Sequence, residues 1–201
     1  MSATVDLPLF PLRAVLFPGG ALPLKIFEQR YMDMAVSCLK DGAAFGVCLI
    51  ADGSEVAQPG RAAAVPHEVG TLARIAQWDM AQLGVLQVVA EGGERFRILS
   101  QRVEASGLLR AKTQLLPPEP AQPVPGDLER LVPLLRAVID DLDERAPPKP
   151  HRFGDAAWVG YRWCEVLPIP LLARQKLLEL EDSLSRLEII DRFLAQKGLI
   201  K

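Results

Sequence analysis

The chain has 201 residues, 49% of them hydrophobic and 24% charged, with a formal net charge of -2. A chain of this length buries roughly 70% of its unfolded surface, and the composition, ordinary for a globular protein, argues against disorder. Residues 1–116 carry eleven Lys or Arg against eleven Asp or Glu, a balance that argues against a nucleic-acid binder, which needs a basic face.

The start, Met1-Ser2-Ala3-Thr4-Val5-Asp6, has neither the basic beginning nor the apolar core of a signal peptide. No uncharged apolar stretch approaches the ~20 residues that cross a bilayer, so no membrane association is expected. Cys38, Cys48 and Cys164 form no close pair. Reduced cysteines in apolar runs act as small hydrophobes, and a cytoplasmic location is expected.

Leu7-Pro8-Leu9-Phe10-Pro11-Leu12 alternates like a strand, but its prolines predict an edge or a bulged path. Phe17-Pro18-Gly19-Gly20 places Pro and Gly at the centre of a type II turn, because Pro presets φ and Gly accepts the positive φ that follows. Leu22, Leu24 and Ile26 then alternate with Pro23, Lys25 and Phe27 in a second strand. Tyr31, Met34, Ala35, Cys38 and Leu39 form one helical stripe, stopped by Asp41-Gly42. Met32 and Val36 flank that stripe and either broaden the core or widen the stripe into a groove.

Strands are predicted at Phe45 to Ile50, Gly70 to Gln77 and Val85 to Ala90. Glu91-Gly92-Gly93-Glu94 predicts a tight reversal into Arg95 to Leu99, with Arg95 and Arg97 as solvated strand arginines. Leu108 to Leu116 is the last strand. Many short strands with frequent turns suggest a small barrel.

Residues 117–126 contain five prolines and predict a stiff, extended connector. Beyond it the apolar period becomes helical. Leu128 to Glu144 is a helix candidate with Asp127 as N-cap, kinked or delayed by Pro133. Asp155 to Val166 and Leu171 to Leu180 follow, the latter opened by Pro170. Asp182 or Ser183 caps a last helix with a stripe of Leu184, Leu187, Ile190 and Leu194, closed by Gly198. The expected architecture is α+β: a β-rich barrel subdomain over 1–116, a linker over 117–126 and a helical bundle over 127–201.

Three segments, read together, resemble the N-terminal substrate-binding domain family of Lon proteases. They are Leu7-Pro8-Leu9-Phe10-Pro11-Leu12-Arg13 running on through Phe17-Pro18-Gly19 to Pro23-Leu24; Val69-Gly70-Thr71-Leu72-Ala73-Arg74-Ile75 with Glu91-Gly92 and Arg95-Phe96-Arg97; and Gln175-Lys176-Leu177-Leu178-Glu179 with Ser185-Arg186-Leu187. The resemblance implies a PUA-like pseudo-barrel followed by a helical bundle. It also implies a substrate-recognition role without the ATPase and peptidase domains. The chain ends at Lys201, where the family's motor would begin, which implies a free-standing member.

The chemistry of those missing domains has no motif here. No G-x-x-x-x-G-K-[ST] string occurs to cradle phosphate. Ser54 and Ser106 adjoin glycines but lie in no G-x-S-x-G elbow and are read as turn serines. His67 and His151 have no partners at metal-ligand spacing. Asp140-Asp141-Leu142-Asp143-Glu144 is read as a solvated helix end. The expectation is therefore a non-enzyme with no catalytic residue, no metal and no cofactor.

Candidate partner-binding residues are apolar side chains in places where polar ones are expected. Trp78, Met80 and Leu83 lie in the loop Trp78 to Gly84 between two strands, either as an exposed contact or as a plug over a barrel end. Tyr161 and Trp163 form a second candidate from their hot-spot composition, with core packing as the alternative. The resulting expectation is an ATP-independent module binding unfolded or specific polypeptides, with an adaptor or regulator of proteolysis as the implied role and a protease as an implied partner. Alternatives are an RNA-binding PUA-like module, carried by Arg95 and Arg97, or a subunit of an ATP-dependent peptidase. The sequence leaves the oligomeric state open.

Overall fold

The computed structural model describes residues 4–55, 63–143 and 146–200, and the chain divides into two compact units, Met1–Pro117 and Pro118–Lys201. The first unit contains β1 (Thr4–Leu12), β2 (Ala21–Ile26), α1 (Gln29–Asp41), β3 (Phe45–Asp52), β4 (Val65–Pro66), β5 (Val69–Gln82), β6 (Val85–Val103) and β7 (Leu109–Leu115). The strands run in the order β1-β7-β6-β5-β3, and a parallel pairing of β1 with β3 closes the circuit. Closure removes the main sheet edges, as expected of a barrel.

β1 changes partner midway, which keeps in each half the edge character its prolines predicted. Residues 4–9 pair with β7 and residues 9–12 with β3. Each half therefore has one unpaired flank, where a missing proline N–H costs no ladder bond.

The predicted reversal at Glu91 to Glu94 does not form. β6 runs unbroken through it, pairing with β2 and β5 before the glycines and with β5 and β7 after them. A register shift opposite Thr71 and Ala73 marks a bulge there. Gly92 is needed for approach: a Cβ on it would stand 2.2 Å from the Phe17 carbonyl oxygen. The Phe17–Gly20 turn docks at this point, with Gly19 N–H donating to Gly92 O at 2.7 Å and Gly92 N–H donating to Gly20 O at 2.8 Å. Gly19 has φ +70°, as the Pro-Gly turn requires.

Two apolar clusters fill the unit. One gathers Phe10, Leu12, Tyr31, Met34, Phe45 and Val88, with α1 laid over the strands; the other gathers Leu7, Leu9, Cys48, Phe96 and Ala111. α1 stops at Gly42, whose φ of +61° suits a left-handed cap. Of the residues flanking its stripe, Met32 packs on the core and Val36 is exposed. Arg95 is buried and so is not the solvated arginine expected, whereas Arg97 reaches toward Glu68 at 3.9 Å.

The second unit contains α2 (Leu131–Asp140), α3 (Ala156–Val166), α4 (Leu171–Glu179) and α5 (Ser183–Gln196). α2 starts three residues later than predicted, and Asp127 is not its cap. Pro133 falls in the first turn, where its absent N–H would have had no helical partner. Glu144, the predicted end of that helix, lies outside the described residues. Asp155 caps α3 through Ala157 N–H at 3.0 Å, and Asp182 caps α5 through Ser185 N–H at 2.8 Å. α3 packs on α5, whose Leu187, Ile190 and Leu194 are buried while Leu184 is partly covered.

The proline-rich segment is fastened to these helices. Gln122 donates to Ser183 Oγ at 2.6 Å, Ala156 N–H donates to Gln122 O at 2.9 Å, and Glu119 accepts from Tyr161 and Arg186. No helix among the described residues is long and apolar enough to cross a membrane.

Candidate polypeptide-binding surface

β5 and β6 extend past the barrel as a ribbon, with β2 paired along β6 as far as Leu86 and the two strands alone beyond it. The loop expected over Trp78 to Gly84 is mostly strand: pairing continues from Trp78↔Val88 through Asp79↔Gln87 to Gln82↔Val85. Leu83 and Gly84 alone make the turn, and Gly84 accepts a φ of +80°. Bulges at Ile75/Gln77 and Asp79/Gln82 twist the ribbon on the way.

This geometry presents the first candidate trio to solvent. Leu83 is 96% exposed, Trp78 61% and Met80 43%. Trp78 shares a cross-strand row with Val88 and Leu24. Its partners in that row are covered, so the ring continues an apolar row beyond the barrel.

Two clefts open beside β2, one of them against the ribbon. One, of about 530 Å³, is lined by Pro23, Leu24, Lys25, Gln77, Trp78, Val89 and their neighbours. The other, of about 220 Å³, is lined by Phe10, Leu12, Pro23 to Glu28, Tyr31 and Glu55. In its floor the Tyr31 ring stacks on Phe10 at 4.0 Å, and the Arg30 guanidinium lies 4.5 Å from the Tyr31 ring centre. Burial pushes the Tyr31 phenol up to about 12, so it stays a neutral hydroxyl at ordinary pH. Phe27, exposed at the mouth, was not among the candidates. The strand alternation that put Leu22, Leu24 and Ile26 on one face had already put Phe27 on the other, and that was the available signal.

The second candidate pair lies elsewhere. Tyr161 and Trp163 belong to α3 of the helical unit and are 5% and 2% exposed. Tyr161 donates its hydroxyl to Glu119, and the Arg186 guanidinium stands 4.2 Å from its ring centre. Their burial leaves them no surface to offer a partner. Arg162, between them, is also buried and binds Glu165 at 3.0 Å.

Among the described residues no group of His, Cys, Asp and Glu could hold a metal ion. Ser106 accepts from Leu108 N–H at 3.3 Å inside a turn, and His151 bonds the Pro147 carbonyl through Nε2 at 3.0 Å. Both are engaged locally.

As a whole, this fold is that of Lon N-terminal domains. A Lon N-terminal domain protein from Xanthomonas campestris, known from a crystal structure, matches with a TM-score of 0.76 and 34% identity, covering 92% of this chain and 96% of that one. The N-terminal domain of the Mycobacterium avium complex Lon protease shares the fold with a TM-score of 0.64 at 14% identity, covering 95% and 98%. The chain belongs to the family of the ATP-dependent protease La (LON) substrate-binding domain, whose profile matches residues 6–196. The Lon protease of Anaeromyxobacter dehalogenans is 33% identical over 109 residues, which are 54% of this chain and 12% of that protease. The chain thus corresponds to a small part of the length of that relative.

Proposed function

We propose that this protein binds apolar segments of unfolded or partly unfolded polypeptides, without nucleotide and without covalent chemistry, through the β5–β6 ribbon and the clefts beside β2. The observation that carries this reading is the exposure of Trp78, Met80 and Leu83 on a projecting ribbon, in a chain of a substrate-binding family. Aromatic and thioether side chains suit adaptable apolar contacts because they cover large areas with few fixed hydrogen bonds. In its setting the protein serves as an adaptor or regulator that hands clients to a protease. The three buried, unpaired cysteines fit a reducing cytoplasm.

The test is fluorescence anisotropy with a labelled, permanently unfolded polypeptide such as reduced, carboxymethylated α-lactalbumin, in the absence of ATP. The expected result is saturable binding, weakened about tenfold or more by Trp78→Ala combined with Leu83→Ser. Saturable binding unchanged by those substitutions would move the site away from the ribbon. No binding at high concentration would overturn general polypeptide recognition. The RNA alternative has less to stand on, because Arg95 is buried and Arg97 faces Glu68. It would show as an affinity for RNA that falls steeply with salt.

A further inference from the structure

β2 is hydrogen-bonded on one flank only, to β6. The bond from Gly92 N–H to Gly20 O, at 2.8 Å, sets the phase of that ladder. Main-chain groups alternate along an antiparallel strand. Leu22, Leu24 and Ile26 therefore turn theirs toward β6, and Ala21, Pro23 and Lys25 turn theirs to the open flank. Among the described residues no backbone bond reaches that flank from another segment. Pro23 stands where an edge strand tolerates proline, with its missing N–H on the unpaired side. The flank therefore offers the N–H groups of Ala21 and Lys25 and the carbonyls of Ala21, Pro23 and Lys25.

Both clefts meet at this edge, since Pro23, Leu24 and Lys25 line each of them. The smaller is walled by core-side residues, Phe10, Leu12 and Tyr31; the larger by Gln77, Trp78 and Val89 of the ribbon. Successive side chains of a strand point to opposite faces. A strand laid along β2 would send alternate side chains into the two clefts.

Charge adds a constraint. Lys25 is exposed, and no carboxylate forms an ion pair with it among the described residues. Asp79 shares its cross-strand row, but beyond Gln87, roughly 10 Å away at ordinary strand spacing. The residue directly opposite Lys25 on an added strand would stand about 5 Å from it, Cβ to Cβ. A carboxylate there would complement the ammonium.

We propose that the open flank of β2 takes up an extended polypeptide segment as an added strand, with apolar side chains alternating into the two clefts and an acidic residue opposite Lys25. This rests on the polypeptide binding proposed above and names its mode and the segment it selects. Main-chain bonds supply affinity for any extended chain, while the clefts and Lys25 choose among sequences.

Residue-resolved amide hydrogen exchange of the full chain, with and without saturating carboxymethylated α-lactalbumin, tests the mode. Ala21 and Lys25 amides should exchange fast in the free protein and slow about tenfold or more on binding, while Leu22 and Leu24 amides are protected in both states. Lys25→Gln keeps the donor and should weaken binding about threefold; Lys25→Pro removes donor and charge and should weaken it about tenfold. Replacing carboxymethyl by neutral carbamidomethyl groups on the same polypeptide should weaken binding to the native protein and leave Lys25→Gln unaffected. Saturable anisotropy with unprotected Ala21 and Lys25 amides would overturn strand addition and leave polypeptide recognition standing. Absence of any anisotropy change would remove both.

Discussion

Arg186 grips Glu119 at two points, Nη1 donating to Oε2 at 2.8 Å and Nη2 donating to Oε1 at 2.6 Å, with the two side chains 0% and 3% exposed. The same guanidinium also donates to the carbonyls of Leu177, at 2.9 Å, and Leu180, at 2.7 Å. One side chain of α5 thus ties the proline-rich segment and the end of α4 together. Removing one partner of a buried pair strands the other charge, which costs about 3–5 kcal/mol. Glu119→Ala should destabilise the helical unit by that amount. In a Trp78→Phe background only Trp158 and Trp163 report, so a lowered urea midpoint of their fluorescence measures it. An unchanged midpoint would mean that the segment contributes nothing to that unit's stability.

Gly92→Ala puts a methyl group where the Phe17 carbonyl stands, and the obstruction is backbone, which cannot swing aside. The Phe17–Gly20 turn must lift away or β6 must bend. Overpacking of this kind costs about 1–3 kcal/mol. Thermal denaturation should show the loss, accompanied by faster exchange of the Gly19 amide. Gly126→Ala, with open space around it, is the control and should be neutral within about 0.5 kcal/mol.

Leu83 touches almost nothing in the folded chain, being 96% exposed. Leu83→Ser should leave the denaturation midpoint unchanged within about 0.5 kcal/mol, because surface substitutions away from caps and buried groups seldom do more. Its effect should appear in polypeptide affinity and in a reduced tendency to self-associate. A large fall in stability would mean that the ribbon tip packs against the protein in solution.

Burial pushes the Glu165 carboxyl up to about 7, although Arg162 and Arg174 pull it down. A carboxyl whose folded value exceeds its ordinary value near 4.5 keeps its proton longer in the folded state. The folded state then binds more protons than the unfolded one between those values, so stability falls as pH rises from about 4.5 to about 7. Glu165→Gln should flatten this slope, on top of a pH-independent loss from leaving the buried Arg162 without its anion. Asp6, held well below the carboxylate range by hydrogen bonds from Arg102 and Arg110, works in the opposite direction at more acidic pH. Denaturation midpoints of both proteins at pH 5, 6, 7 and 8 check the prediction; parallel curves would refute it.

Strands and helices of this chain could be recognised because each buries one face, and a buried face writes its period into the sequence. The stripe Tyr31, Met34, Ala35 and Cys38 is buried as read, with Leu39 only partly covered, and Leu22, Leu24 and Ile26 pack inward while Phe27 is exposed. Long-range approach left no such mark. Glu91-Gly92-Gly93-Glu94 carries the composition of a reversal, yet Gly92 is small because a turn more than seventy residues earlier in the chain rests on it. Arg95 alternates with Phe96 like a surface residue and is nevertheless buried. Composition could not separate the two candidate surfaces either. Large aromatic side chains suit interfaces and cores alike, and only burial distinguishes Trp78 from Trp163. The open flank of β2 had one local trace, Pro23 inside an alternating run.

The closing strand of the barrel comes first in the chain. β1 holds β7 through Thr4↔Gln114 and β3 through Leu9↔Gly46. Its partners are made later by the ribosome, β7 only after about a hundred further residues. An emerging chain can therefore form β3, β5 and the ribbon as local hairpins, but it cannot seal the barrel until β7 has left the exit tunnel. Pairings of such long sequence separation fold slowly, in milliseconds to seconds. Throughout that interval the apolar face of β1 is itself an unfolded segment of the kind this protein is proposed to bind.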